Sequence, residues 1–147
     1  MQSGPLKLFQ LFFTVEDVAT MVKHTNSRAS TTEFSYPWRP LTITELYNYL
    51  GCLLFMTLYR FPHLNDYWSS KHSTPLKACL PRWRFKQIRK AFTVRDPEAY
   101  PEQPEDPWWF RVEPLATTVR KASQHYWAPG GNLAVDESLF WAFQACD

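Results

Sequence analysis

A mainly α domain closed by one β segment is the fold class this sequence predicts. Three observations carry it. Capping-box starts recur at Thr14 and Thr42, apolar residues repeat at helical spacing through three stretches, and only residues 132–143 alternate as a strand does. The chain has 147 residues and 45% hydrophobic content, enough for one domain with a core and too little to expect two. Aromatic residues make up 17%, with seven Trp. That share excludes a disordered chain.

The elements follow in order. "PLKLFQLF" from Pro5 predicts a short helix with proline in its first turn. Thr14 and Asp17 form a capping box with Asp in place of Glu, and Phe13 and Val18 staple it, opening a helix over 14–27. Thr42 and Glu45 open the next, stapled by Leu41 and Leu46; Leu46, Leu50, Leu53, Leu54 and Leu58 recur at helical spacing. This helix is expected mid-core and to stop before Pro62. Turn formers make 61–75 a loop, where Tyr67 and Trp68 are read as anchors to the core and, alternatively, as loop binding residues. One turn is expected at 76–80, and "RWRFKQIRKAF" at 82–92 predicts a basic amphipathic helix with Trp83, Phe85, Ile88 and Phe92 as its apolar positions. The proline- and acid-rich stretch 96–107 predicts an exposed connection. A last helix is expected from about 107–109 to Trp127, with Trp109, Val112, Leu115, Ala116, Val119 and Ala122 as core stripe. "PGG" at 129–131 ends it.

Net charge is only +2, but it is unevenly spread. Residues 71–95 hold eight Lys or Arg and no acid, half of the 16 basic residues, whereas 96–106 hold five acids and no base. Arg82, Arg84, Lys86, Arg89 and Lys90 are the candidate DNA-binding residues, set beside Trp83 and Phe85. Arg82, Lys86, Arg89 and Lys90 fall on one broad helix face that could follow a phosphate backbone without reading sequence. The rival reading is a solvated face paired with the acids that follow.

Other chemistries find no support. Cys52, Cys79 and Cys146 are far apart, and the four histidines fall neither at i, i+4 nor beside a cysteine, so no zinc site is visible and a reducing compartment fits. No hydrolase triad or glycine-rich phosphate loop is recognisable. The longest apolar run, 50–59, is about half a membrane span, and the N-terminus does not read as a signal peptide. No membrane and no small-molecule substrate are expected as partners.

From the strand-like "NLAVDESLF" at 132–140 onward, alternation sets Leu133, Val135, Glu137, Leu139 and Trp141 on one face and Ala134, Asp136, Ser138 and Phe140 on the other. Asp136 among small residues is placed as a metal-holding carboxylate on a sheet would be. An acidic residue on a solvated strand face has the same pattern.

The stretch "WFRVEPLATTVRKASQHYWAPGGNLAVDESLF" resembles the entry to the catalytic domain in transposases of the piggyBac superfamily, including domesticated transposase-derived proteins. Upstream, "LFFTVEDVATMVKHTN", "LTITELYNYLGCLLFMTLYRFPHLNDYWS" and "RWRFKQIRKAFTVRD" resemble that family's motifs in the same order. The resemblance implies a helical dimerisation and DNA-binding region over 1–130, then the first β-strand of an incomplete RNase H-like catalytic domain over 131–147. It makes Asp136 the first of three metal-binding catalytic Asp residues. In the complete family enzyme these hold Mg²⁺, and two ions are needed for strand transfer.

"FQACD" replaces the family's "K-G-R" type element, and the chain carries no counterpart of the second and third Asp or of the cysteine-rich zinc module. The expectation is a truncated, transposase-derived DNA-binding protein, without transposase activity or stably bound metal on its own. DNA and a second copy of the chain are the expected partners and the nucleus the expected location. Two alternatives stand beside it: an N-terminal fragment of an active transposase completed by other sequence, and a helical protein-interaction domain with no nucleic-acid role.

Overall fold

Both capping boxes form, and they set the starts of the two longest helices. In the computed structural model, which describes residues 4–99, 110, 112–128 and 130, Thr14 Oγ1 accepts from the Asp17 amide at 3.2 Å while Asp17 Oδ2 accepts from the Thr14 amide at 3.0 Å. Helix α2 (Val15–Ser30) follows, preceded by the short α1 (Pro5–Phe9). Thr42 and Glu45 make the same exchange at the head of α3 (Ile43–Leu58). The staple partners Val18, Leu41 and Leu46 are buried, which fixes how the chain enters each helix. A 3₁₀ turn (Leu64–Trp68), α4 (Leu76–Cys79), α5 (Arg82–Ala91), a second 3₁₀ turn (Pro97–Ala99) and α6 (Glu113–Tyr126) complete the order. The chain is mainly α, and no strand occurs among the described residues.

Helix α2 packs on both α3 and α5, and α4 lies against α3. Val18 and Met21 of α2, Leu46, Tyr49 and Cys52 of α3, Leu76 of α4, and Phe85 and Ile88 of α5 form one buried cluster with Leu41, Tyr67 and Leu80. Its aromatic centre sets the Phe85 ring 5.1 Å from Tyr49 and 5.0 Å from Trp68. Burying a side chain of this size contributes about 1.5–3 kcal/mol.

The loop aromatics are anchors. The Tyr67 hydroxyl donates to the Tyr59 carbonyl at 2.8 Å and accepts from the Phe61 amide at 3.0 Å, and the Trp68 indole donates to the Leu80 carbonyl at 2.8 Å.

Three expectations need correction. Helix α3 is deep in the core only as far as Cys52: Leu54 and Leu58 are exposed, because apolar residues run all round the helix after Leu50 while its neighbours cover one side. Trp83 is 49% exposed rather than part of the buried stripe. Helix α6 buries none of its residues; Val112 and Val119 are exposed, Ala116 faces solvent, and among the described residues of the expected stripe only Leu115 packs against the central cluster. Toward α2, Pro114, Leu115 and Thr118 of the first two turns of α6 line a cavity of about 80 Å³ with Asp17, Thr20 and Met21 instead of closing onto that helix. Trp109, most of the 96–107 stretch and the strand expected at 132–143 lie outside the described residues.

Candidate nucleic-acid interface

Helix α5 starts directly after Pro81, in extended conformation with φ −61°, and each residue then advances about 100° around the axis. From Arg82, that rotation brings Lys86, Arg89 and Lys90 within an arc of about 100°, with Trp83 at its edge. All five are exposed. The opposite arc carries Arg84, Phe85, Gln87, Ile88 and Ala91, all buried.

Arg84 therefore leaves the candidate DNA-binding set: it is 1% exposed and its guanidinium is consumed inside the domain. Nε donates to Glu45 Oε1 at 3.1 Å, Nη2 to Glu45 Oε2 at 3.0 Å and to the Arg39 carbonyl at 2.8 Å, and Nη1 to Gln87 Oε1 at 2.9 Å. Its Cζ lies 4.6 Å from the centre of the Trp38 ring. A bidentate pair to a carboxylate is what a buried guanidinium requires, since an unpaired charge there is costly. Burial pushes the Glu45 carboxyl up, but the hydrogen bonds from Arg84 and then Arg39 outweigh it, and the group sits below its ordinary 4.5.

The four remaining cations are solvated. Arg82 Nη1 donates to Asn65 Oδ1 at 2.9 Å, and Lys90 Nζ donates to the Glu33 carbonyl and lies 5.7 Å from the Phe34 ring centre. None of them enters an ion pair among the described residues, where Arg39, Arg84 and Arg120 supply the cations. Asp96 and Glu98, the described acids of the following segment, form no ion pair with them.

One neighbour of this face was not anticipated. Residues 34–38, "FSYPW", pass alongside α5, and Gln87 Nε2 pins them by donating to the carbonyls of Tyr36 and Pro37 at 3.0 and 3.2 Å. Asn26 of α2 holds the far end: its Oδ1 accepts from the Leu41 amide at 2.7 Å and the Trp38 indole at 3.1 Å, and its Nδ2 donates to the Leu41 carbonyl at 3.0 Å. Phe34, Tyr36, Trp83, Lys86 and Lys90 thereby line a groove of about 210 Å³. The density of aromatic residues between two helices was the available signal.

Asp136 lies outside the described residues, so its expected metal is not placed. Among the described residues, no group of three or more His, Cys, Asp or Glu side chains could hold a metal ion. No described helix is long and apolar enough to cross a membrane.

A family model described as Transposase IS4 matches residues 4–147. The chain belongs to the IS4 transposase family. No curated protein and no solved structure matches it. In this IS4-family transposase chain, the matched region takes in the whole helical arrangement above, α5 and its cations included.

Proposed function

We propose that this chain is the DNA-binding part of a piggyBac-type, transposase-derived protein, and that α5 lies along the phosphate backbone. The observation that carries the reading is the segregation of charge on α5: Arg82, Lys86, Arg89 and Lys90 are solvated on one arc, while Arg84, the cation with a structural task, is turned inward. Family membership supports DNA as the partner, and the ordered motifs favour the piggyBac type. The residues to about 130 act as the helical region and 131–147 as the first strand of the catalytic domain, with Asp136 its first metal-binding carboxylate. A single such Asp does not hold the two metal ions that strand transfer needs. The 147-residue chain is therefore proposed to bind DNA without cutting or joining it, in the nucleus and with a second copy of itself as a partner.

The test is the affinity of the folded chain for labelled duplex DNA across a salt series. Each neutralised phosphate contributes about −0.9 to the slope of log K against log salt, so reversing the four cations to Glu should remove about 3 to 4 from its magnitude. A folded chain that does not bind duplex DNA, or binds it independently of salt, overturns the reading.

A further inference from the structure

We propose that the groove between residues 34–37 and α5 is a stacking site for unpaired bases, so that this chain holds a single-stranded segment of DNA beside the duplex that α5 tracks. The proposal rests on the reading of α5 as a DNA-facing helix and adds the form of DNA that the neighbouring surface takes.

Three features of the groove point to this occupant. Tyr36 is 65% exposed and Trp83 is 49% exposed, so two aromatic rings meet solvent side by side with their centres 6.4 Å apart. The planes are inclined at 58°, which leaves no parallel slot between the rings and offers each outer face to a separate base. Every base has a π face, so such platforms tolerate any sequence.

Charge is the second feature. Lys86 and Lys90 stand one turn apart along the same wall, and among the described residues no carboxylate lines the groove. Aromatic faces flanked by cations and free of acids match a strand whose bases are unstacked and whose phosphates run alongside. Duplex DNA buries its base faces against one another, so it can use the lysines but not the rings.

Rigidity is the third. Gln87 ties the Tyr36 and Pro37 carbonyls to α5, the Trp38 ring lies 5.1 Å from Phe34 in a stacked arrangement, and Arg84 donates to the Arg39 carbonyl. The segment carrying Tyr36 is thus fixed before any ligand arrives, which lowers the ordering cost of binding.

The experiment compares a labelled oligo-dT strand with a labelled blunt duplex, using the full 147-residue chain in one buffer. Tyr36→Ala with Trp83→Ala should weaken oligo-dT binding about tenfold or more while changing duplex binding by less than about twofold. Tyr36→Phe with Trp83→Phe should restore it, since the rings return. Arg82→Glu with Arg89→Glu, outside the groove, should weaken duplex binding. Circular dichroism and thermal melting establish that each variant is folded. Duplex binding that depends on Arg82 and Arg89, combined with oligo-dT binding indifferent to the aromatic pair, overturns the groove and leaves the α5 reading standing. Equal losses on both DNAs in the alanine pair also overturn it. Absence of binding to either DNA by the folded wild-type chain overturns both.

Discussion

Glu45 receives two arginines, and replacing each by methionine separates burial from distance as the source of stability. The Arg39 contact is the shorter, 2.6 Å against 3.0 Å, but the Arg39 side chain is 68% exposed and the Arg84 side chain 1% exposed. Arg39→Met removes an ion pair screened by water, and the expected cost is below about 1 kcal/mol. Arg84→Met keeps most of the aliphatic stem but deletes four hydrogen bonds, leaving the Arg39 carbonyl and Gln87 Oε1 without that donor. Breaking a buried, hydrogen-bonded pair from one side costs about 3–5 kcal/mol. Glu45 keeps Arg39 and some solvent contact, so about 3 kcal/mol is expected. Urea unfolding reads this directly: with a slope of about 2 kcal/mol/M, the midpoint falls by about 1.5 M for Arg84→Met and by less than about 0.5 M for Arg39→Met. The pH dependence has a definite sign. Because the Glu45 carboxyl is held below its ordinary 4.5, it binds its proton less readily folded than unfolded. Its contribution is therefore fully present above that value and is lost as pH falls through the lower folded value. The gap between wild type and Arg84→Met should narrow over that acid window without closing, because the bonds to the Arg39 carbonyl and Gln87 Oε1 do not titrate. Equal costs for the two substitutions at neutral pH, or a larger one for Arg39→Met, would refute the primacy of burial.

Three further outcomes follow from the same packing. Phe85→Ala, at a side chain 1% exposed between Tyr49 and Trp68, should cost about 3–5 kcal/mol in the same unfolding assay. Asn26→Ala strips the buried Leu41 amide and the Trp38 indole of their acceptor and should cost about 3 kcal/mol. Burial pushes the Cys52 thiol up to about 11, with Cys79 adding to the rise, so a thiol reagent at pH 8 should leave Cys52 unmodified and label the exposed Cys79. In a chain that also carries Cys146→Ser, Cys79→Ser should remove a fast labelling phase that Cys52→Ser leaves in place.

Local chemistry was legible in the sequence and coverage was not. Both capping boxes join residues three apart, so Thr14 with Asp17 and Thr42 with Glu45 could be read before any tertiary contact was known, and the helices begin one residue after them. Helices α2 and α3 end at Ser30 and Leu58, points that local signals mark less sharply. Arg84 was legible by angle, about 200° from Arg82 and thus among Phe85, Ile88 and Ala91. Its partner was not, because Glu45 lies 39 residues away. Trp83 misled in the opposite direction: its apolar type suggests the core, while its angle sets it beside the cations. For α6 the spacing gives an apolar stripe, but spacing carries no information on whether another element covers that stripe. The candidate groove is built by two segments about 50 residues apart, joined by Gln87, and no periodicity connects them.

The exposed face of α5 also opposes folding. Arg82 with Lys86, and Lys86 with Lys90, are like charges one turn apart, each pair unfavourable by about 0.2–0.5 kcal/mol. The helix offers no compensating acid: none lies within α5 itself. Its hold on the domain comes from the opposite arc, where Phe85 and Ile88 fill the core, Arg84 is clamped by Glu45, and Gln87 grips the segment carrying Tyr36. The same turn of helix thus withdraws one guanidinium from water and fixes an aromatic wall, while leaving Lys86 in solvent on its other side. A basic face serving only solubility would need no fixed wall beside it. The rigid pairing of unneutralised cations with exposed rings is the arrangement a nucleic-acid strand would meet without further ordering.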